Sequence, residues 1–219
     1  MGEWVDVSKT SPPLLHEANA WASFHSGEFD TARQESICWL RDQPFASAPA
    51  TLSSYIVADI FCDFEAAKTI AQAGLRSNQD DPMLLNNLAI CHMELNELAE
   101  DEAILSRLKA EDRGGKIDPT YKTTFGMLAF RKGDPERGRT LYLEAIEEAK
   151  NSGSKATAAR AAFHLVFEDL IAHSPHIDDS IRRLKEFEGQ KDFVEWARFF
   201  ERINTLMGRT GGDGIDRSP

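Results

Sequence analysis

Four short polar segments recur along the chain at nearly even spacing, and each lies between two stretches with helical periodicity. The segments begin at Gly27, Cys62, Asn96 and Gly133, so their first residues are 35, 34 and 37 positions apart. An interval of this length is typical of an array in which helix–turn–helix units stack on one another. The sequence therefore predicts an all-α helical repeat solenoid of antiparallel helix pairs, and a binding scaffold rather than a catalyst.

The stretches around these segments have apolar residues three and four positions apart, as on one face of a helix. In the first stretch, Leu14, Ala18, Trp21 and Phe24 form such a stripe. The pattern predicts four helix pairs, at residues 14–25 and 30–43, 51–60 and 64–75, 83–94 and 98–109, and 120–131 and 135–149. We expect an irregular fifth pair at residues 155–172 and 178–187, and a last helix at residues 191–207.

The chain divides into four predicted parts. Residues 1–12 form an extended N-terminal arm, and residues 13–188 form the repeat domain, with four clear repeats and the irregular fifth pair. Residues 189–207 form a C-terminal capping helix, because an amphipathic helix can bury the open end of a stack. Its apolar stripe consists of Phe193, Trp196, Phe200, Ile203 and Met207. Residues 208–219 are expected to be a disordered tail, since they hold too few apolar side chains for a packed core.

Composition and charge exclude several classes of partner. Hydrophobic residues make up 42% of the chain, which is ordinary for a folded soluble protein. The formal net charge of −11 repels phosphate backbones, so we expect no nucleic acid partner. No apolar run is long enough to span a bilayer, so we expect no membrane partner.

The cysteines and the first residues of the chain indicate the cellular compartment. Cys38, Cys62 and Cys91 are scattered and form no pair with metal-ligand spacing, which favours free thiols in a reducing compartment. No basic segment followed by an apolar run begins the chain, so we expect no signal peptide. The predicted location is the cytoplasm.

The helix pairs resemble tetratricopeptide repeats (TPRs). That family places small residues where two helices cross closely, because only a small side chain lets the backbones approach. The matching sites here are Ala20, Tyr55, Ala89 and Gly126 in the first helices, and Ala32, Ala67, Asp101, Gly138, Trp39, Gly74, Leu108 and Ala145 in the second helices. Eight of these twelve are Ala or Gly, and the turns at residues 27–29 and 133–135 resemble the family's Gly-Asp-Tyr turn. The resemblance covers residues 13–150 and extends weakly to residue 188.

The resemblance implies a right-handed superhelix in which the first helix of each pair lines a concave groove. The inward positions carried over are Glu17, Trp21, Phe24, His25, Leu52, Ile56, Asp59, Ile60, Asn86, Ile90, Met93, Glu94, Thr123, Met127, Phe130 and Arg131. Co-chaperone members of the family hold a C-terminal carboxylate with Lys, Asn and Arg on these helices. The sites that match this clamp are Glu17, Trp21, Leu52, Ile56, Asn86 and Ile90. They contain no lysine, so a chaperone-tail ligand is disfavoured.

An apolar groove with scattered polar groups suits an apolar peptide or an amphipathic helix of a protein partner. The predicted partner-binding residues are Trp21, Phe24, Ile56, Ile60, Asn86, Ile90, Met93, Met127, Phe130 and Arg131. We expect the methionines to adapt to the ligand, Asn86 or Asn87 to hydrogen-bond its backbone, and Arg131 or Lys122 to bind an acidic residue. The alternative is that these side chains pack between the helices, or contact the N-terminal arm.

Three classes of function remain open from the sequence: an adaptor for a protein partner, a regulatory or sensor module of a larger protein, and a secretion or assembly chaperone that shields a client. We expect no enzyme, because residues 112–116 lack the glycine spacing and the preceding strand of a phosphate loop. No nucleophile–base set is evident either. We expect the histidines and aspartates of residues 173–179 to form a solvated turn rather than a metal site. No metal and no cofactor are predicted, and the oligomeric state and the partner's identity stay open.

Overall fold

A computed structural model describes residues 15–110, 117–190 and 193–210, and these residues form eleven α-helices and no β-strand. The all-α prediction is therefore confirmed. The helices are α1 His16–His25, α2 Phe29–Asp42, α3 Ser47–Tyr55, α4 Phe64–Ser77, α5 Pro82–Glu94, α6 Leu98–Ala110, α7 Pro119–Arg131, α8 Pro135–Asn151, α9 Lys155–Ile171, α10 Ile177–Lys185 and α11 Trp196–Thr210. Helix α3 continues directly into a π-helical turn, Ile56–Ile60.

The helix bounds differ from the predicted ones mainly at two places. Helix α3 begins at Ser47, where the sequence suggested a connection, because Pro49 lies in the first turn and its missing N–H needs no intrahelical acceptor there. Helix α11 begins at Trp196 and continues to Thr210, so it includes Gly208, which was assigned to the tail. The predicted N-terminal arm, residues 1–12, and the rest of the predicted tail, residues 211–219, lie outside the described residues.

The predicted turn segments share a left-handed backbone at their first residue. The φ angles are 78° at Gly27, 55° at Cys62, 61° at Asn96 and 81° at Gly133. At three of these turns the next N–H donates to a carbonyl five residues earlier, which ends the helix in a Schellman motif. These bonds run from Glu28 to Ser23, from Glu97 to His92 and from Asp134 to Ala129. One local geometry therefore reverses the chain after α1, α5 and α7.

Consecutive helices from α1 to α10 pack on one another, and several odd-numbered helices are also in contact. Helices α1 and α2, α3 and α4, α5 and α6, α7 and α8, and α9 and α10 form adjacent pairs. Helix α5 lies against α3 and α7, and α7 also lies against α9, so α3, α5, α7 and α9 follow one another in a row. Helix α11 packs on α9.

Small residues lie where the helices approach most closely. Ala20, Ala32, Ala67, Ala89 and Ala145, which the sequence singled out as crossing sites, are all fully buried. At glycine sites the space is tighter still, and a Cβ added to Gly74 would lie 2.6 Å from Cβ of Ala50. The core therefore depends on alanine and glycine at its helix crossings, where a larger side chain would not fit.

Candidate partner-binding site

A cavity of about 270 Å³ opens between the odd-numbered helices α3, α5, α7 and α9. We call it the central cavity. Its walls mix apolar, hydroxyl, amide and charged side chains. They consist of Tyr55, Asp59, Met83, Asn86, Asn87, Ile90, Glu94, Thr120, Thr123, Thr124, Met127, Tyr142, Thr157, Arg160, Ala161 and His164.

Three of the predicted partner-binding residues line the central cavity: Asn86, Ile90 and Met127. The carbonyl oxygen of the Asn86 side chain accepts a hydrogen bond from the Thr124 hydroxyl at 2.6 Å, which joins α5 to α7. Asn87, the alternative to Asn86, donates to Ser54 Oγ at 2.9 Å and so joins α5 to α3. The side chains that the sequence assigned to ligand recognition thus also hold neighbouring helices together.

Five further predicted residues lie in the core rather than on the cavity wall. Phe24, Ile56, Ile60, Met93 and Phe130 are buried and belong to the main hydrophobic cluster. For these positions the structure shows the packing between helices that the sequence left open as the alternative. In their present positions they contribute to stability rather than presenting a surface to a ligand.

The last two predicted residues lie apart from the central cavity. Trp21 is 39% exposed on α1 and stacks on His25, with ring centroids 5.9 Å apart. Arg131 is paired within the protein, because its Nη2 lies 3.0 Å from Glu168 Oε1 and 3.5 Å from Glu94 Oε2. The ten predicted residues therefore do not form one continuous surface, and their role in partner binding stays a prediction.

Helix α11 lies beside the cavity and reaches several helices through long side chains. Glu195, which immediately precedes the helix, is fully buried. Its Oε1 accepts hydrogen bonds from the Tyr55 hydroxyl at 2.7 Å and from Arg160 Nη2 at 2.7 Å. Seven residues later, Arg202 Nη2 donates to Glu94 Oε1 at 3.2 Å. The polar ends of the segment therefore attach it to α3, α9 and α5.

Aromatic contacts secure the middle of α11 on α9. The Phe199 ring stacks on Phe163 with centroids 4.1 Å apart. The Arg202 guanidinium lies 4.1 Å from the centroid of the Phe167 ring, a cation–π contact. Phe199 and Ile203 are fully buried, whereas Trp196 and Phe200 of the predicted apolar stripe are only half-buried. Phe193 and Ile203 of the predicted stripe are buried, so the buried face overlaps the predicted one but is turned towards Phe199.

A network of buried charges lies between α11 and the odd-numbered helices. Four acidic side chains meet three guanidinium groups and one imidazole in it. The members are Asp59, Glu94, Glu168, Glu195, Arg131, Arg160, His164 and Arg202. Because carboxyl groups outnumber guanidinium groups, the network cannot pair every acid with its own cation.

Several groups of this network have shifted pKa values. Burial raises the pKa of Asp59 from 3.8 to about 7, although Arg202 and Arg160 oppose the shift. Burial likewise raises the pKa of Glu168 to about 7, against the pull of Arg131. His164, whose Nε2 lies 3.5 Å from Asp59 Oδ1, has its pKa lowered to about 3 by burial and by the two arginines. His164 is therefore neutral near pH 7, where both carboxyl groups are close to their midpoints.

The sequence did not identify this network. Charged side chains on a helix usually face solvent, so the residue types of Glu195, Arg202 and Glu168 do not indicate that they meet in the interior. The signal that could have found them is their spacing, since Glu195, Phe199 and Arg202 share one helical face. Their partners, however, lie 140 and 108 residues away along the chain, for Glu195 with Tyr55 and Arg202 with Glu94.

Comparisons with known proteins leave the family open: no family model matches the chain, and no curated protein matches it significantly. Among the described residues, no group of three or more His, Cys, Asp or Glu side chains is arranged to hold a metal ion. In the same part of the chain, every helix is too short or too polar to cross a bilayer.

Proposed function

We propose that the chain is a TPR-like solenoid that works as a protein–protein interaction scaffold. In this proposal a peptide or helix of the partner binds at the central cavity between the odd-numbered helices. The observation that carries it is the composition of the cavity wall. Asn86 and Thr123 offer hydrogen bonds to a peptide backbone, while Ile90 and Met127 offer apolar contact for its side chains.

The size of the central cavity suits a short anchor rather than a whole small molecule. Its volume of about 270 Å³ is just below the range of roughly 300–1,000 Å³ that is usual for drug-sized ligands. One or two apolar side chains of the partner would fill it, each contributing about 1.5–3 kcal/mol on burial. After the cost of association, an affinity of about micromolar is expected if contacts outside the cavity add to these anchors.

The net charge of the chain limits the kinds of protein that we expect as partners. A formal net charge of −11 favours encounter with a basic surface, and it disfavours acidic partners and nucleic acid. The partner we propose is a protein with an apolar or amphipathic segment flanked by basic residues. Cys38, Cys62 and Cys91 are free thiols, which fits a scaffold in a reducing compartment such as the cytoplasm.

Two alternative functions use the same site. A regulatory or sensor module of a larger protein would bind its peptide and change the activity of a neighbouring domain. A chaperone would bind a client that is insoluble by itself. The client's solubility without the scaffold separates the chaperone from the adaptor.

A photo-cross-linking experiment tests the proposed site. Peptides selected from a displayed random library on the purified chain are incubated with a chain that carries a photoreactive residue at Thr123, on the cavity wall. The matched control carries it at Thr140, an exposed threonine on α8. We expect cross-linking from position 123 alone, and a tenfold or greater loss of affinity on Ile90→Ser, since one apolar anchor contributes about 1.5–3 kcal/mol. Equal cross-linking from both positions would exclude the central cavity.

A further inference from the structure

The inward face of the C-terminal segment has a defined chemical pattern. It presents a carboxylate at Glu195, an aromatic ring at Phe199, a guanidinium at Arg202 and an aliphatic side chain at Ile203. These positions are separated by four, three and one residues, so they lie along one side of a helix. Arg198, one helical turn before Arg202, is exposed.

The surface beneath this face matches it group by group. We call this surface the α11 seat and define it by Tyr55, Glu94, Arg160, Phe163 and Phe167. Tyr55 and Arg160 hold the carboxylate of the segment, Phe163 stacks on its aromatic ring, and Glu94 and Phe167 hold its guanidinium.

The seat selects its occupant by charge as well as by shape. Without an occupant, Arg160 loses the carboxylate of Glu195, and Glu94 loses the guanidinium of Arg202. Because a partly buried charge is costly without a counter-charge, an apolar helix of the same shape would bind poorly. A helix that brings a carboxylate and a guanidinium at the same spacing would replace α11 with little change in electrostatic energy.

The fit of α11 in its seat leaves two acceptors unused. Glu195 Oε2 and Asn204 Oδ1 are buried and have no hydrogen-bond donor within the protein. A buried acceptor without a donor weakens the complex that contains it. A partner helix with an apolar residue at the position of Asn204 would lack one of these unpaired acceptors, and it would therefore occupy the seat more tightly than α11 does.

The seat and the central cavity are continuous. Tyr55, Glu94 and Arg160 belong to both, so a ligand that fills the cavity and extends along α9 meets α11. Helix α11 is the last helix of the described residues and makes its main helix contact with α9, while its side chains reach α3, α4 and α5. Elements of this kind open locally at a lower free energy than the rest of a fold.

We propose that α11 is an intramolecular ligand, and that the partner is a helix with the same pattern: a carboxylate, an aromatic ring four residues later and an arginine three residues after that. The partner helix displaces α11 and takes the α11 seat. This proposal rests on the proposed function, and it adds the chemistry of the partner and the competition that regulates its binding.

A labelled synthetic peptide of residues 193–210 tests the proposal by fluorescence anisotropy on the full chain. The double variant Phe199→Ser, Arg202→Ser weakens the internal helix and leaves the α11 seat intact. The matched control, Phe200→Ser, Arg198→Ser, makes the same two changes at neighbouring residues that contact none of the residues of the α11 seat; Phe200 is half-buried and Arg198 is exposed. We expect the inward variant to bind the peptide at least tenfold more tightly than the wild-type chain and the control do. A peptide that itself carries Phe199→Ser should lose binding.

Equal affinity of the three chains for the peptide would overturn the proposal. If the inward variant does not fold, amide hydrogen exchange on the wild-type chain decides instead. We expect α11 amides to exchange at least tenfold faster than α9 amides, and equal protection of the two helices would overturn the proposal. Failure of the proposed function is distinguishable, because it appears as loss of cross-linking at position 123 while the 193–210 peptide still binds.

Discussion

Single residues set the distance between helices in this chain. A Cβ added to Gly138 would lie 2.4 Å from a ring carbon of Phe130 and 2.8 Å from the carbonyl oxygen of Gly126. Neither a ring packed in the core nor a backbone carbonyl can move away without disturbing its neighbours. The contact between α7 and α8 therefore requires glycine at this position.

We expect Gly138→Ala to lower the free energy of unfolding by about 1–3 kcal/mol, because overpacking of the crossing outweighs the better helix propensity of alanine. The matched control is Gly208→Ala on α11, where an added Cβ meets nothing within 4 Å. That change should raise stability by about 0.5–1 kcal/mol through helix propensity alone. Urea denaturation measures both. A Gly138→Ala chain that is more stable than the wild type would show that the crossing of α7 and α8 accommodates an added methyl group.

The sequence predicted the helices well, because the information that defines them is local. Gly27, Asn96 and Gly133 end helices through a left-handed backbone that favours Gly or Asn, and this preference is visible in the sequence. Cys62 adopts the same backbone without that preference. It follows the π-helical turn Ile56–Ile60, which no residue pattern predicted.

The contacts of α11 could not be predicted in the same way, because they are not local. The hydrophobic pattern of the segment placed Trp196 and Phe200 inward, whereas the structure buries Phe199 and Glu195. Charged side chains are usually solvated, so the residue types of Glu195 and Arg202 favour the surface. Glu195 is bonded to Tyr55 and Arg202 to Glu94, which precede them by 140 and 108 residues.

The charge network gives these helices an unusual dependence of stability on pH. Between about pH 5 and pH 6.5, Asp59 and Glu168 are protonated in the folded state and ionised in the unfolded state. His164 has the opposite effect, because it is neutral when folded and takes up a proton on unfolding. The folded state therefore binds about one more proton than the unfolded state does. The free energy of unfolding should fall by roughly 1 kcal/mol for each pH unit as the pH rises through this window.

Asp59→Asn removes one of the two carboxyl groups that are protonated only in the folded state. The proton held by Glu168 then offsets the proton that His164 takes up on unfolding, so stability should be nearly independent of pH between about pH 5 and pH 6.5. Asp30→Asn, the same change at an exposed site in the first turn of α2, should keep the slope of the wild-type chain. Denaturant titrations across the window measure the three slopes. An unchanged slope in Asp59→Asn would mean that this carboxyl group does not hold its proton in the fold.

The described residues form an all-helical molecule in which α11 lies beside the central cavity. The row of odd-numbered helices supplies the central cavity, and the C-terminal segment supplies an occupant for the adjoining α11 seat. The even spacing of the turn segments predicted helix pairs, and the repeat arrangement stays a prediction. The sequence did not reveal the occupant, because the complementarity between Glu195 and Arg160 appears only once the chain is folded.

If α11 is an intramolecular ligand, a partner helix and α11 compete for the α11 seat. Competition between a library-selected peptide and the labelled 193–210 peptide, measured by anisotropy on the Phe199→Ser, Arg202→Ser chain, tests it most directly. We expect mutual exclusion, so that saturating library-selected peptide displaces all of the labelled 193–210 peptide. The inhibition constant should equal the dissociation constant that is measured for the selected peptide directly. Simultaneous binding of both peptides would contradict it.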